Sequence, residues 1–96
     1  MNKLTLHTAA NSHLSIDFEE YDSPIWFKVV SILENDLGFD RDGDPVMGMD
    51  EGILPYFIKG EAKIAAGWDN WSGNYLLSES KEGDSVLEYI INAVNA

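Results

Sequence analysis

ILPYFIKGEAKIAAGWDNWSGNYLLSE, residues 53–79, is the stretch that decides the fold. Ile53 to Lys59, Ala62 to Asp69 and Asn74 to Glu79 read as three strands. They are separated by Gly60-Glu61 and by Asn70-Trp71-Ser72-Gly73, turn chemistry that predicts a three-stranded antiparallel meander. The second turn sets a register in which Trp68 opposes Tyr75 and Ala66 opposes Leu77, with these pairs on one face that can serve as a floor for helices. Pro55 lacks an N–H to donate, which places the first of the three strands at a sheet edge.

Working outward, Leu4 and Leu6, then Leu14, Ile16 and Phe18, alternate with polar residues and predict a hairpin around Thr8 to Ser12. Its expected register sets Leu6 against Leu14, Leu4 against Ile16, and His7 against His13. Ser23-Pro24 is an N-cap followed by proline in the first turn, and Trp26, Val29, Val30, Leu33 and Leu37 continue as a helical stripe to the Gly38 cap, with Phe39 folding back. From Gly38 to Gly52 the periodicity gives way to a long acidic loop. After the meander, a helix opens at Ser80, carries Glu82 and Asp84 in its first turn, and buries Val86, Leu87, Ile90, Ile91 and Val94. The expected fold is thus α+β, in two layers: a mainly antiparallel five-stranded sheet with two helices, in the order ββαβββα.

Residues 1–96 are few enough for one domain around one core, and 45% of them are hydrophobic, so the chain can fold despite 17 acidic against 6 basic residues. The resulting charge of −11 repels a phosphate backbone, which argues against nucleic-acid binding, and favours encounter with a basic protein. Cysteine is absent, which excludes disulfides, thiolate zinc sites and cysteine nucleophiles. The first residues contain no apolar export core and no stretch is long and apolar enough to span a membrane, so a cytoplasmic location is expected.

Asp40, Asp42 and Asp44, with Glu51 at the twelfth position counted from Asp40, resemble the ligand spacing of a calcium loop. Pro45 stands where that loop needs glycine, Met47 follows two residues later, and a strand rather than a helix comes next; a solvated acidic loop is the preferred reading and a Ca or Mg site the alternative. His7 and His13 supply only two ligands between them. Neither histidine has a nucleophile or orienting carboxylate at a recognisable spacing, and no nucleophile elbow or phosphate loop occurs, so neither an enzyme nor a cofactor is expected.

The distinctive segment is instead Gly67-Trp68-Asp69-Asn70-Trp71-Ser72-Gly73-Asn74-Tyr75. Trp71 either closes the sheet end or stands at the turn tip as an exposed anchor flanked by Asp69 and Asn70. Met47 and Met49 offer adaptable apolar contacts, and Asp17, Glu19, Glu20 and Asp22 form a second acidic run. Together these residues define a candidate surface for a basic protein partner. A homodimer is the other candidate assembly, burying Leu54, Tyr56, Ile58 and Leu76 on the second sheet face.

The block GWDNWSGNYLLSESKEGD, residues 67–84, followed by a short final helix, resembles small uncharacterised bacterial proteins grouped as domains of unknown function, and implies no activity. In size and acidity the chain is similar to bacterial immunity proteins and nuclease inhibitors, a likeness that implies a basic protein as partner.

Overall fold

The structure, a computed structural model, describes residues 4–71 and 73–95. Its strands are β1 (Thr5–Thr8), β2 (Leu14–Asp17), β3 (Asp40–Asp42), β4 (Val46–Met47), β5 (Glu51–Lys59), β6 (Ala62–Asp69) and β7 (Gly73–Ser78). The helices are α1 (Pro24–Ser31), continued by a π-helical turn over Ile32–Asp36, and α2 (Lys81–Asn95). All strand pairs are antiparallel in a sheet ordered β1-β2-β7-β6-β5-β3, with β4 also paired to β5. The class is α+β as expected, but among the described residues the sheet has seven strands rather than five. The two additional strands come from the acidic segment read as a loop. Asp40-Arg41-Asp42 and Val46-Met47 are too short and too exposed to show a period, and they are strands only because β5 offers them a partner.

Those two pairings correct the reading of Pro55. β5 has β6 on one side and β3 and β4 on the other, so it is not an edge. Pro55 lies at a bulge, where the β5–β6 register shifts between Leu54 and Phe57, and between the stretches paired with β4 (Gly52, Ile53) and with β3 (Tyr56 to Ile58). A residue without an N–H is tolerated at such an interruption of the ladder. Its carbonyl accepts hydrogen bonds from Arg41 Nε and Nη2 at 3.3 and 3.0 Å.

Two registers differ from expectation. In the β1–β2 hairpin Leu6 pairs with Ile16 and His7 with Ser15, two residues along from the expected alignment. The turn is longer than a minimal one: Ala9 N–H donates to His13 O, and Ser12 takes a positive φ of 70°. A shift of two preserves the inward face, so Leu4, Ile16 and Phe18 are buried all the same. In the β6–β7 hairpin the slip is one residue: Trp68 opposes Asn74, Ala66 opposes Leu76, and Tyr75 opposes Gly67. Gly73, with φ 65°, belongs to the ladder opposite Asp69 instead of to the turn, and a shift of one exchanges faces. Tyr75 and Leu77 therefore stand on the side away from Trp68, Ala66 and Leu76.

Both helices pack on the latter side. The core unites Ile16, Phe18, Phe57, Ile64, Ala66 and Leu76 of the sheet with Trp26, Val29 and Leu33 of the first helical segment and Leu87 and Ile90 of α2. Phe18 meets Trp26 edge to face at 5.0 Å. The helix ends are as expected. Ser23 Oγ accepts from Trp26 N at 3.2 Å, Gly38 has φ 72°, Phe39 is buried with its N–H on Leu33 O, and Ser80 Oγ accepts from Gly83 N at 3.0 Å. No helix among the described residues is long and apolar enough to cross a membrane.

Among the described residues, no helix covers the opposite sheet face. That face carries Tyr56, Ile58, Ala65, Tyr75 and Leu77, with Ile53 and Val46 more than half exposed. Leu54 and Leu76, expected there beside Tyr56 and Ile58, lie on the helix side instead, because of the one-residue slip and the bulge.

Candidate functional site

β5, β6 and β7 run side by side, so one end of the sheet gathers the segment between β2 and α1, the β4–β5 connection and the β6–β7 turn. These surround an open groove of about 510 Å³ lined by Tyr21, Asp22, Met47, Met49, Leu54, Trp68, Asn70 and Asn74. Its floor is set by a glycine. Gly52 pairs with Trp68, and a β-carbon there would fall 2.6 Å from indole Cε2 and 2.9 Å from Met47 Sδ, so only a bare backbone lets the indole lean across β5. Trp68 Nε1–H donates to Met47 Sδ at 3.4 Å, and Tyr21 meets the Trp68 ring edge to face at 5.4 Å and 80°.

One wall is fastened by Asn74, which is 1% exposed. Its Oδ1 accepts from Asp22 N at 2.6 Å, its Nδ2 donates to Gly67 O at 3.4 Å, its N–H donates to Glu20 O at 2.9 Å, and its carbonyl accepts from Phe18 N at 2.9 Å. Residues 18–22 are thereby tied to β7 even though Glu19 and Asp22 hold positive φ angles of 63° and 44°. Tyr21 Oη donates to Asp69 O and contacts Asn70 Oδ1, each at 2.8 Å, and Asn70 Nδ2 donates to Asp50 Oδ1 at 2.8 Å. This network joins the three segments of the rim.

The residues expected to bind a partner are only partly brought together. Met47, Met49, Asn70 and Asp22 line the groove. Asp69 bonds Trp71 N through its Oδ1 at 2.9 Å, and Trp71, next after Asn70 in the turn, is 82% exposed; Met49 is 96% exposed. Trp71 thus stands at the turn tip rather than sealing the sheet end. The acidic run is split: Asp17, Glu19 and Glu20 border a separate hollow of about 270 Å³ with Leu4, His7 and Ile25, while Asp22 turns to the groove. Burial lifts the Asp17 carboxyl above its ordinary range, with Asp69 and Glu19 adding to the rise and His7, 3.8 Å away, opposing it. The Tyr75 phenol is raised chiefly by burial, with Asp69, Glu51 and Tyr56 adding to the rise.

Tyr21, Leu54, Trp68 and Asn74 complete the groove without having been singled out as site residues. Tyr21 carried a signal, as an aromatic inside the run Glu19-Glu20-Tyr21-Asp22. The turn chemistry pairs Trp68 with Tyr75, and Asn74 carries no signal in the sequence, because its burial depends on a segment some 50 positions away.

The calcium-like spacing does not become a cluster. Asp40 and Asp42 are held in extended strand β3, Asp44 lies between β3 and β4, and Glu51 begins β5 opposite Asp69. Among the described residues, no three carboxylate or histidine groups converge in a manner suited to a metal ion. His7 and His13 are also apart: His7 is near Asp17, whereas His13 Nδ1 lies 2.9 Å from Asp84 Oδ2 at the start of α2. Asp84 also accepts from Leu14 N at 2.9 Å. Burial alone would raise its carboxyl, but the bonds from Leu14, His13 and Ser78 outweigh that and hold it below the usual range.

The chain matches no protein-family model, and comparisons with curated proteins and with solved structures find no match.

Proposed function

We propose that the protein is a small acidic binding module that recognises a basic protein partner through the groove end of its sheet. The carrying observation is the coincidence, at one end, of an apolar groove floor, two strongly exposed anchors in Trp71 and Met49, and a rim containing Asp22 and Asp50. None of the lining residues is basic, and Lys59 and Lys63 lie at the far end of the β5–β6 hairpin. A partner with a basic rim and an apolar centre would be steered by the first and retained by the second.

Affinity capture from a lysate of the source cells tests this, with the wild-type protein and a Trp71→Ala/Met49→Ala variant side by side at low and high salt. The expected result is a basic protein retained by the wild type at low salt, released at high salt, and lost with the variant. Both side chains are exposed, so the variant should unfold within about 0.5 kcal/mol of the wild type. Equal retention by the two proteins, or none by either at low salt, overturns the reading.

A second reading is a homodimer through the uncovered sheet face, favoured by the exposure of Ile53 and Val46 beside Tyr56 and Ile58. Light scattering that gives a monomer mass at high protein concentration and high salt would exclude it.

A further inference from the structure

Resting on the basic-partner reading, we propose that the groove receives an arginine side chain of the partner, its guanidinium against the Tyr21–Trp68 pair and its charge met by Asp22 and Asp50. The chain holds its own single arginine with the same components. Arg41 lies with its guanidinium carbon 3.9 Å from the centroid of Phe57, donates to the Pro55 carbonyl, and pairs with Glu34 at 3.2 Å. An aromatic face, an amide-type oxygen and a carboxylate are the three features that a planar, multiply donating cation uses together.

The groove offers all three. Tyr21 and Trp68 are set at 80° to one another, giving two aromatic surfaces at right angles. Asn70 Oδ1 supplies the amide oxygen. Asp22 lines the groove, and its carboxylate takes part in no ion pair among the described residues. Asp50 is fixed at the rim by the Asn70 side chain at 2.8 Å. The space of about 510 Å³ exceeds what one arginine fills, and the remainder is bordered by Met47, Met49 and Leu54. An apolar residue next to the arginine would occupy that part.

Arginine is favoured over lysine for a physical reason. A guanidinium is weakly hydrated and flat, so it lies against an indole or phenol while its edge donates to a carboxylate; an ammonium is compact and strongly hydrated, and would have to shed water to approach these rings.

The test follows the Trp68 indole N–H resonance by NMR during titration with a short end-blocked Leu-Arg-Leu peptide, and with the same peptide carrying lysine or citrulline in place of arginine. The expected result is saturable perturbation by the arginine peptide, with affinity at least about tenfold weaker for the other two. Asp22→Asn should weaken the arginine peptide by a similar factor; asparagine tolerates the positive φ of that position, so an unchanged spectrum of the free variant confirms that its fold is intact. Equal affinity for the lysine peptide would overturn the arginine assignment and leave the basic-partner reading standing. No perturbation by any peptide, while lysate capture still depends on Trp71 and Met49, would likewise overturn this inference alone. Failure of both experiments removes both readings.

Discussion

Replacing Asn74 by Asp changes one atom of the buried side chain that ties the groove wall to β7. Wild-type Asn74 donates to the Gly67 carbonyl and accepts from Asp22 N–H. In the variant the acceptor survives, but a carboxylate oxygen faces the Gly67 oxygen in a place 1% exposed to solvent. The side chain escapes that repulsion by binding a proton, since its hydroxyl can then donate to Gly67. Holding a carboxyl of ordinary pKa near 3.9 protonated at pH 7 costs about 4 kcal/mol, because each unit of displacement is worth about 1.4 kcal/mol. The sign follows directly. The folded-state pKa of the new carboxyl is raised above its unfolded value, so the penalty is greatest at neutral pH and fades as pH falls toward about 4. Urea unfolding followed by tryptophan fluorescence at several pH values between about 4 and 7 measures the difference from wild type. Asn74→Ala is the control, with a pH-independent loss of about 2–3 kcal/mol from two vanished hydrogen bonds. An Asn74→Asp deficit that does not vary with pH, or one below about 1 kcal/mol at pH 7, would refute the reasoning and show that Asp22 N–H suffices to stabilise the anion.

Gly73→Ala should be among the most damaging single-methyl changes in the protein. The new β-carbon would fall 2.6 Å from the Glu20 carbonyl carbon and nearer still to Glu20 N, against backbone that cannot swing aside, in addition to about 1 kcal/mol for the left-handed conformation; a total loss above about 3 kcal/mol in urea unfolding is expected. Asp84→Asn should cost on the order of 1 kcal/mol at pH 7, where the native carboxylate accepts from Leu14 and His13. Because the folded-state pKa of Asp84 lies below its unfolded value, that contribution is present above the unfolded pKa and is lost as pH falls through the folded one. Stability curves of the variant and the wild type should therefore converge below about pH 4, and a constant gap down to pH 2 would contradict the assignment.

How much of this was legible in the sequence depended on the range of the interaction. Capping and periodicity are local, so Ser23-Pro24, Gly38, Ser80 and the stripes through Val29, Leu33, Leu87 and Ile90 were readable directly. The meander was readable too, because its turns lie between adjacent strands. Register was not. The choice between Tyr75 and Asn74 as the partner of Trp68 turns on whether Gly73 counts as turn or ladder, and that is decided by residues 18–22 packing against it. The acidic segment showed the same limit in reverse: Asp40-Arg41-Asp42 has no strand-forming preference of its own, and β5 imposes its conformation. Within the candidate site, exposed groups such as Trp71, Met49 and Asn70 could be proposed from residue type, whereas Trp68 and Asn74 owe their places to Gly52 and Asp22, each distant along the chain.

The sheet order also bears on how the molecule reaches its native state. β2 is linked to the rest of the sheet through β7, with Ser15 beside Leu77 and Ile16 beside Leu76, roughly 60 positions apart, so this union requires a long stretch of chain to be gathered in first. The β1–β2 hairpin and the β5–β6–β7 meander each close over short spans, and the expected sequence of events is that both form early and dock late. Gly73 contacts Glu20 only after docking, which predicts that weakening this junction speeds unfolding far more than it slows folding. A stopped-flow chevron for Gly73→Ala in which the folding arm absorbs the whole effect would reverse that order.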